Sequence, residues 1–98
     1  MSNNELHFRF LKAFDAANAM ENVEIPIDLR LLFYAYYKQA TINSLNSYNP
    51  NDPIRIRNAF KLNAILQVQN LSQDEAKMAY INLVNDTIKK YNLNINLI

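Results

Sequence analysis

The sequence predicts an all-α domain of four helices. Apolar residues recur at steps of three and four along four separate segments, which is the spacing of one face of a helix. No segment alternates convincingly between apolar and polar residues as a half-buried strand does. At 98 residues the chain is expected to be one domain, 1–98, in which every helix contributes a face to a shared core.

The first two helices are predicted over about 4–20 and 27–42. Pro26 marks the turn at which the second helix starts, because proline is preorganised for a first helical turn. The apolar stripe of the first helix consists of Leu6, Phe10, Ala13, Phe14, Ala17 and Met20.

The second helix has two apolar sides. At about 100° per residue, Leu29, Phe33, Tyr36 and Ala40 share one side, and Leu31, Tyr34, Tyr37 and Lys38 lie roughly opposite. The first side is suited to a core. The second combines apolar bulk, two phenols and an ammonium group, which suits a ligand that has both a hydrocarbon and a phosphate.

A run of turn-forming residues over 43–53 predicts a long loop before the third helix. That helix is expected over about 54–69, with Ile54, Arg57, Lys61, Ala64, Ile65 and Val68 on one side. The fourth helix is predicted over about 72–91, because Ser72 and Glu75 have the spacing of a capping box. Its stripe comprises Ala76, Tyr80, Leu83, Val84, Thr87, Ile88 and Tyr91.

The tail 92–98 alternates asparagine with leucine and isoleucine, so an extra strand, a packed extension and a frayed end all remain open.

Composition excludes several classes of function. The net charge of +1 is too small for nonspecific nucleic-acid binding. The chain has no glycine, which excludes glycine-rich phosphate loops, and asparagine is expected to occupy left-handed caps instead. It also has no cysteine and no apolar run of membrane-spanning length, so we expect a cytoplasmic protein with no integral membrane association.

The residues that could carry catalysis are few. His7 is the one histidine, and no nucleophile signature accompanies it. The acidic residues are scattered singly, without the spacing of metal ligands. We therefore expect a binding protein with no metal and no cofactor.

Two blocks of sequence resemble the acyl-CoA-binding protein family. The first is Leu31 to Thr41, with Tyr34 and Tyr37-Lys38-Gln39-Ala40-Thr41, and the second is Ser72 to Ile81, with Ser72-Gln73-Asp74-Glu75-Ala76 at its start. They occur in order and at nearly the separation found in the family. The resemblance, which covers essentially 10–91, implies an up-down bundle of four helices that holds medium- to long-chain acyl-CoA esters in the cytosol.

The resemblance also implies roles for individual residues. Tyr34, Lys38 and Lys61 would hold the ribose 3′-phosphate of the ligand. Tyr37 and Tyr80 would help to position the nucleotide and the acyl chain, and Leu31 would line the acyl groove. The expected ligand-binding set is completed by Phe14 and by Arg57, which is either an auxiliary phosphate contact or an ordinary surface charge.

The sequence departs from the family pattern at several positions. Leu62 and Ile65 stand where the family usually has tryptophans, Arg30 replaces an apolar residue, and Asn18 replaces a basic one. The main alternative is therefore a helical protein-interaction module that has lost strong acyl-CoA binding, and an acyl-CoA-dependent enzyme is a weaker one. Because Tyr34, Lys38, Lys61 and Tyr80 are all present, we expect a noncatalytic monomeric carrier whose partners are acyl-CoA thioesters and enzymes that use them.

Overall fold

The computed structural model describes residues 3–41 and 59–98, with side chains over 4–41 and 63–98. Within these ranges the chain forms four helices and no strand. They are α1 (Asn3–Ala19), α2 (Ile27–Thr41), α3 (Ala59–Val68) and α4 (Gln73–Lys90). The prediction of an all-α four-helix bundle is confirmed.

The helix ends agree with the sequence prediction to within one residue wherever the structure describes them. Ser72 is the N-cap of α4 instead of its first helical residue, and Tyr91 is its C-cap. The predicted loop 43–53 and the predicted start of the third helix at Ile54 lie outside the described residues.

The link between α1 and α2 is held by main-chain and side-chain hydrogen bonds. The Pro26 carbonyl accepts from the N–H groups of Leu29 at 3.1 Å and Arg30 at 3.2 Å, so α2 begins directly after the proline, as predicted. Arg30 Nη2 then donates to the Val23 carbonyl at 2.6 Å. This side chain ties the first turn of α2 to the connection that precedes it.

The fourth helix starts at the predicted capping box. The Ser72 hydroxyl oxygen accepts from the Glu75 N–H at 3.0 Å, and Glu75 Oε1 accepts from the Ser72 N–H at 2.9 Å. The two bonds satisfy donors that have no partner inside the helix. The Ser72 N–H, and after it the Ser72 hydroxyl group, favour the ionised form of the Glu75 carboxylate, so the pKa of Glu75 is lowered.

Asparagine ends the same helix. Asn92 has φ = 54°, the left-handed conformation that glycine usually supplies at this position. Its N–H donates to the Lys89 carbonyl at 3.3 Å, and the Leu93 N–H donates to the Ile88 carbonyl at 3.0 Å. This pair of bonds is a Schellman motif, and the expected use of asparagine in place of glycine is confirmed here.

The core has two parts. α4 packs on both α1 and α2, and α3 packs on α2. The larger cluster of buried residues lies among α1, α2 and α4 and contains Leu6, Phe10, Ala13, Ala16, Met20, Ile25, Ala40, Ala76, Tyr80, Ile81, Val84 and Ile88. The smaller one lies between α2 and α3 and contains Ala35, Ala64 and Val68. The helix α2 therefore separates two apolar clusters, which explains its double apolar character.

The C-terminal tail, 92–98, is a packed extension, which was one of the three possibilities that the sequence left open. Leu93, Ile95 and Ile98 pack against the larger cluster. The Ile98 N–H donates to Asn85 Oδ1 at 2.8 Å, and the main-chain oxygen of Ile98 accepts from Asn85 Nδ2 at 3.1 Å and Arg9 Nη2 at 3.2 Å. The tail thus connects α1 to the second half of α4.

Candidate functional site

Tyr34 and Lys38 form a pair on consecutive turns of α2. Both side chains are half-buried. Lys38 Nζ lies 5.7 Å from the centroid of the Tyr34 ring, within the range of a cation–π contact. Because the ring limits where the ammonium group can go, the pair presents a positive charge and a phenol to the same region of the surface. This is a donor set suited to an anion such as phosphate.

Tyr37 faces the core, where it packs in a cluster of aromatic rings. Its ring stacks on Phe14 at a centroid distance of 4.7 Å and on Phe10 at 5.9 Å. The sequence-based grouping of Tyr37 with Leu31, opposite the core side, is therefore wrong. At 100° per residue Tyr37 adjoins Phe33, and the aromatic side chains of α1 extend the core to reach it.

Tyr80 is buried at the centre of the same cluster, with 2% of its surface exposed. It makes edge contacts with Phe10 at 5.2 Å and Phe33 at 5.9 Å, and its ring lies 6.2 Å from that of Tyr37. Burial raises the pKa of Tyr80, and the neighbouring Tyr37 raises it further. A tyrosine phenol is neutral at physiological pH in any case, and this shift keeps Tyr80 neutral to a higher pH than usual.

Leu31 faces a different part of the molecule. It packs with Ile65 against the smaller cluster between α2 and α3. The structure therefore does not bring Leu31 into contact with the aromatic cluster of Phe14 and Tyr37. Around α2, Tyr34 and Lys38 fall between the direction of Leu31, towards α3, and the direction of Tyr37, towards α1.

Two basic residues of the predicted set lie at or beyond the limit of the described chain. The backbone of Lys61 belongs to the first turn of α3, three residues before Ala64, which packs with Ala35 of α2. Arg57 lies outside the described residues. Ala64, in the middle of α3, belongs to the same buried cluster as Ala35, the residue that follows Tyr34.

Gln39 is a buried polar residue whose hydrogen bonds to another helix the sequence analysis did not predict. It is 6% exposed. Its Nε2 donates to the Leu71 carbonyl at 2.6 Å and to the Gln69 carbonyl at 3.1 Å, just beyond the end of α3. No group in the described part of the chain donates to its buried Oε1. The available signal was its position four residues after Ala35, on the side of α2 that faces α3.

The described ranges show neither a metal centre nor a membrane span. No three histidine, cysteine, aspartate or glutamate side chains lie together in a way that could hold a metal ion within 3–41 and 59–98. None of the helices in those ranges is long and apolar enough to cross a bilayer.

Comparison with known proteins identifies relatives over most of the chain. A family model described as "Acyl CoA binding protein" matches residues 8–84, which include every predicted ligand-binding residue. A curated Caenorhabditis elegans protein, "Acyl-CoA-binding protein homolog 3", is 36% identical over 63 residues, or 64% of this chain and 53% of the relative. The chain thus spans about half the length of that relative. No solved structure matches it.

Proposed function

This chain belongs to the acyl-CoA-binding protein family, and on that premise we propose that it is a noncatalytic cytoplasmic carrier of medium- to long-chain acyl-CoA esters. The observation that carries the proposal is the Tyr34–Lys38 pair on α2, placed beside the half-buried rings of Tyr37 and Phe14. Such a surface offers a cation and hydroxyl groups next to an apolar face. An acyl-CoA ester has the complementary parts, an anionic nucleotide and a hydrocarbon chain.

The phosphate would be held from two helices. Lys38 supplies an ammonium group and Tyr34 a hydroxyl group from α2, and Lys61 would supply a second ammonium group from the start of α3. Charge-assisted hydrogen bonds to a phosphate are about twice as strong as neutral ones. Two lysines and a phenol would thus replace the backbone phosphate loop that a chain without glycine does not have.

The acyl chain would run over the aromatic and aliphatic surface beside that pair. Phe14 and Tyr37 offer half-buried rings on the α1 side, and Leu31 with Ile65 offers aliphatic surface on the α3 side. Each CH₂ group removed from water contributes ~0.8 kcal/mol before the cost of ordering the chain. Head group and tail are then both needed for tight binding.

Calorimetric titration with palmitoyl-CoA, free CoA and palmitate tests the proposal. We expect one-to-one binding of palmitoyl-CoA, with the two fragments each bound much more weakly. Lys38→Ala should weaken palmitoyl-CoA binding by about tenfold to a hundredfold, the loss of one charge-assisted hydrogen bond. Lys89→Ala, which removes an exposed lysine from the last turn of α4, is the matched control and should bind as the parent does.

The result that overturns the carrier function is equally definite. If palmitoyl-CoA gives no heat and no competition at micromolar protein, the chain is not an acyl-CoA carrier, and either the missing ring stacking at Leu62 and Ile65 or the altered, glycine-free sequence before the third helix would account for the lost site. The alternative, a protein-interaction module, would then account for the retained fold. If Lys38→Ala and Lys89→Ala have the same effect, the Tyr34–Lys38 pair is not the phosphate site.

A further inference from the structure

An open groove runs along the first half of α4, beside Leu6 of α1 and Tyr36 of α2. This α1–α4 groove has a volume of about 760 Å³. It is lined by Leu6, Tyr36, Leu71, Asp74, Glu75, Met78, Ala79 and Asn82. The groove is open to solvent on its outer side.

The α1–α4 groove shares no residue with the proposed acyl-CoA site. Tyr36 lines the groove, whereas Tyr37, one residue later and about 100° further round the helix, stacks on Phe14. On α4, Met78 and Ala79 line the groove, whereas the next residue, Tyr80, is buried in the aromatic cluster. The two surfaces therefore lie on different sides of α2 and of α4.

The groove is lined by both apolar and acidic side chains. Leu6, Tyr36, Leu71 and Met78 supply apolar surface, and none of the four is fully exposed. Methionine adds a flexible, polarisable side chain that adapts to different apolar partners. The acidic side chains, Asp74 and Glu75, are exposed at the start of α4.

The charge of the groove contrasts with that of the chain. Two carboxylates and no lysine, arginine or histidine stand among the side chains that line it, although the chain as a whole carries a formal charge of +1. Both carboxylic acids are of a type that is ionised at neutral pH, and the hydrogen bonds from Ser72 lower the pKa of Glu75 further. A cationic group is the complementary partner for such a rim.

We propose that the α1–α4 groove docks a basic amphipathic helix of a partner protein, a function beyond the binding of acyl-CoA. Large apolar side chains at positions i, i+3, i+4 and i+7 of that helix would enter between Leu6, Tyr36 and Met78. Lysine or arginine side chains beside them would pair with Asp74 and Glu75. Because the groove and the acyl-CoA site lie on different sides of α2 and of α4, a partner bound there would leave the Tyr34–Lys38 pair uncovered.

The test uses the full chain labelled with ¹⁵N and an amidated peptide of about 14 residues, or four helical turns. The peptide carries leucine at i, i+3, i+4 and i+7 and lysine or alanine elsewhere, and a counterpart has glutamate in place of every lysine. We expect the lysine peptide to shift the amide signals of Leu6, Tyr36, Met78 and Ala79. The glutamate peptide should leave them unchanged.

Matched variants separate the groove from the general charge of α4. Asp74→Asn should weaken binding of the lysine peptide by about twofold to fivefold, the usual effect of one exposed ion pair. Asp86→Asn removes another exposed acid of α4 that does not line the groove, and it should have no effect. Met78→Lys should weaken binding by about tenfold or more, since it places a charge in the apolar contact.

Four results would overturn the proposal. They are no shifts with either peptide, equal binding of the two peptides, equal losses for Asp74→Asn and Asp86→Asn, and shifts centred on Tyr34 and Lys38. Self-association of the free chain through Leu6 and Met78 would show instead that a second copy covers the groove. Circular dichroism checks that each variant keeps its helical content. If Met78→Lys does not fold, Asp74→Asn still tests the proposal, because it replaces an exposed side chain.

Discussion

Replacing the buried Gln39 with glutamate should destabilise the fold in a way that depends on pH. Gln39 Nε2 donates to the carbonyls of Gln69 and Leu71 at 3.1 and 2.6 Å. Gln39→Glu keeps the shape of the side chain and replaces both N–H donors with an oxygen. At neutral pH a carboxylate would then face two carbonyl oxygens in a site that is 6% exposed, without a donor in the described part of the chain.

The loss of stability in Gln39→Glu has two causes, the lost hydrogen bonds and the buried charge. The loss of two neutral hydrogen bonds costs about 1–3 kcal/mol. An uncompensated buried charge brings the total to about 3–5 kcal/mol, a large share of the 5–15 kcal/mol that stabilises a typical domain. Gln39→Met loses the same bonds but also removes the buried Oε1, so its cost should be smaller, about 1 kcal/mol.

The pH dependence has a definite sign. Burial and the two carbonyls raise the pKa of the introduced carboxyl group above its unfolded value of about 4.3. The folded state therefore binds the proton more tightly, and stability is retained below the unfolded pKa and lost as pH rises through the folded one. Gln39→Glu should be closest to the parent protein near pH 4 and furthest from it at pH 7.

Urea unfolding followed by circular dichroism at pH 4 and pH 7 measures these differences. Gln69→Ala is the control, because it removes an exposed side chain and keeps the carbonyl that accepts from Gln39, and it should change the free energy of unfolding by less than about 0.5 kcal/mol. A loss below 1 kcal/mol for Gln39→Glu at pH 7, or the same loss at both pH values, would refute the structural role assigned to Gln39.

Four further predictions concern the capping box of α4, the buried phenol and the proposed phosphate site. Ser72→Ala should cost about 1 kcal/mol in urea unfolding because it removes the N-cap, and a change below about 0.3 kcal/mol would contradict the role of the cap. Since the pKa of Glu75 is lowered in the folded state, the ionised carboxylate stabilises the fold above the ordinary pKa of 4.5, and this stabilisation is lost as pH falls through the folded pKa. Glu75→Gln should therefore lose less stability on acidification than the parent protein does. If the two proteins lose equal stability in acid, Glu75 does not make this contribution. Since the pKa of Tyr80 is raised in the folded state, the fold should lose stability as pH rises past the ordinary pKa of 10.0. Tyr80→Phe should reduce this loss of stability between about pH 10 and 11. If the free energy of unfolding of Tyr80→Phe falls with pH as steeply as that of the parent protein, other groups cause the loss. Lys61→Ala should weaken palmitoyl-CoA binding, and removal of the ligand's 3′-phosphate should then cause little further loss; if the two losses add, the lysine and the phosphate are not partners.

Local sequence signals predicted the ends of α4 with the greatest detail. The spacing of Ser72 and Glu75 identifies a capping box because both hydrogen bonds join residues three positions apart. The left-handed Asn92 is one instance of the general expectation that asparagine occupies such caps in a chain without glycine, although the sequence did not single out this residue. In both places the interaction is completed within a few residues, so no knowledge of the tertiary structure is needed.

The site was predicted less completely because periodicity gives an angle around a helix but not the neighbour at that angle. Tyr37 was assigned to a side away from the core, yet the rings of Phe10 and Phe14 reach it from α1. Gln39 likewise depends on carbonyls 30 and 32 residues away. Contacts at such sequence separations are set by how helices pack, and a single sequence contains no direct signal for them.

The overlap between core and candidate site determines which residues can test function. Tyr80 contacts Phe10 and Phe33 in the core, so a loss of binding in Tyr80→Ala would not distinguish a lost ligand contact from a lost fold. Tyr80→Phe retains the ring and removes only the hydroxyl group, which makes it the informative change at this position. Lys38 belongs to neither core cluster, and its replacement should alter phosphate recognition while leaving the free energy of unfolding nearly unchanged. We therefore expect the site to be divided between tyrosine rings that pack the helices together and the half-buried Lys38, which would select the ligand.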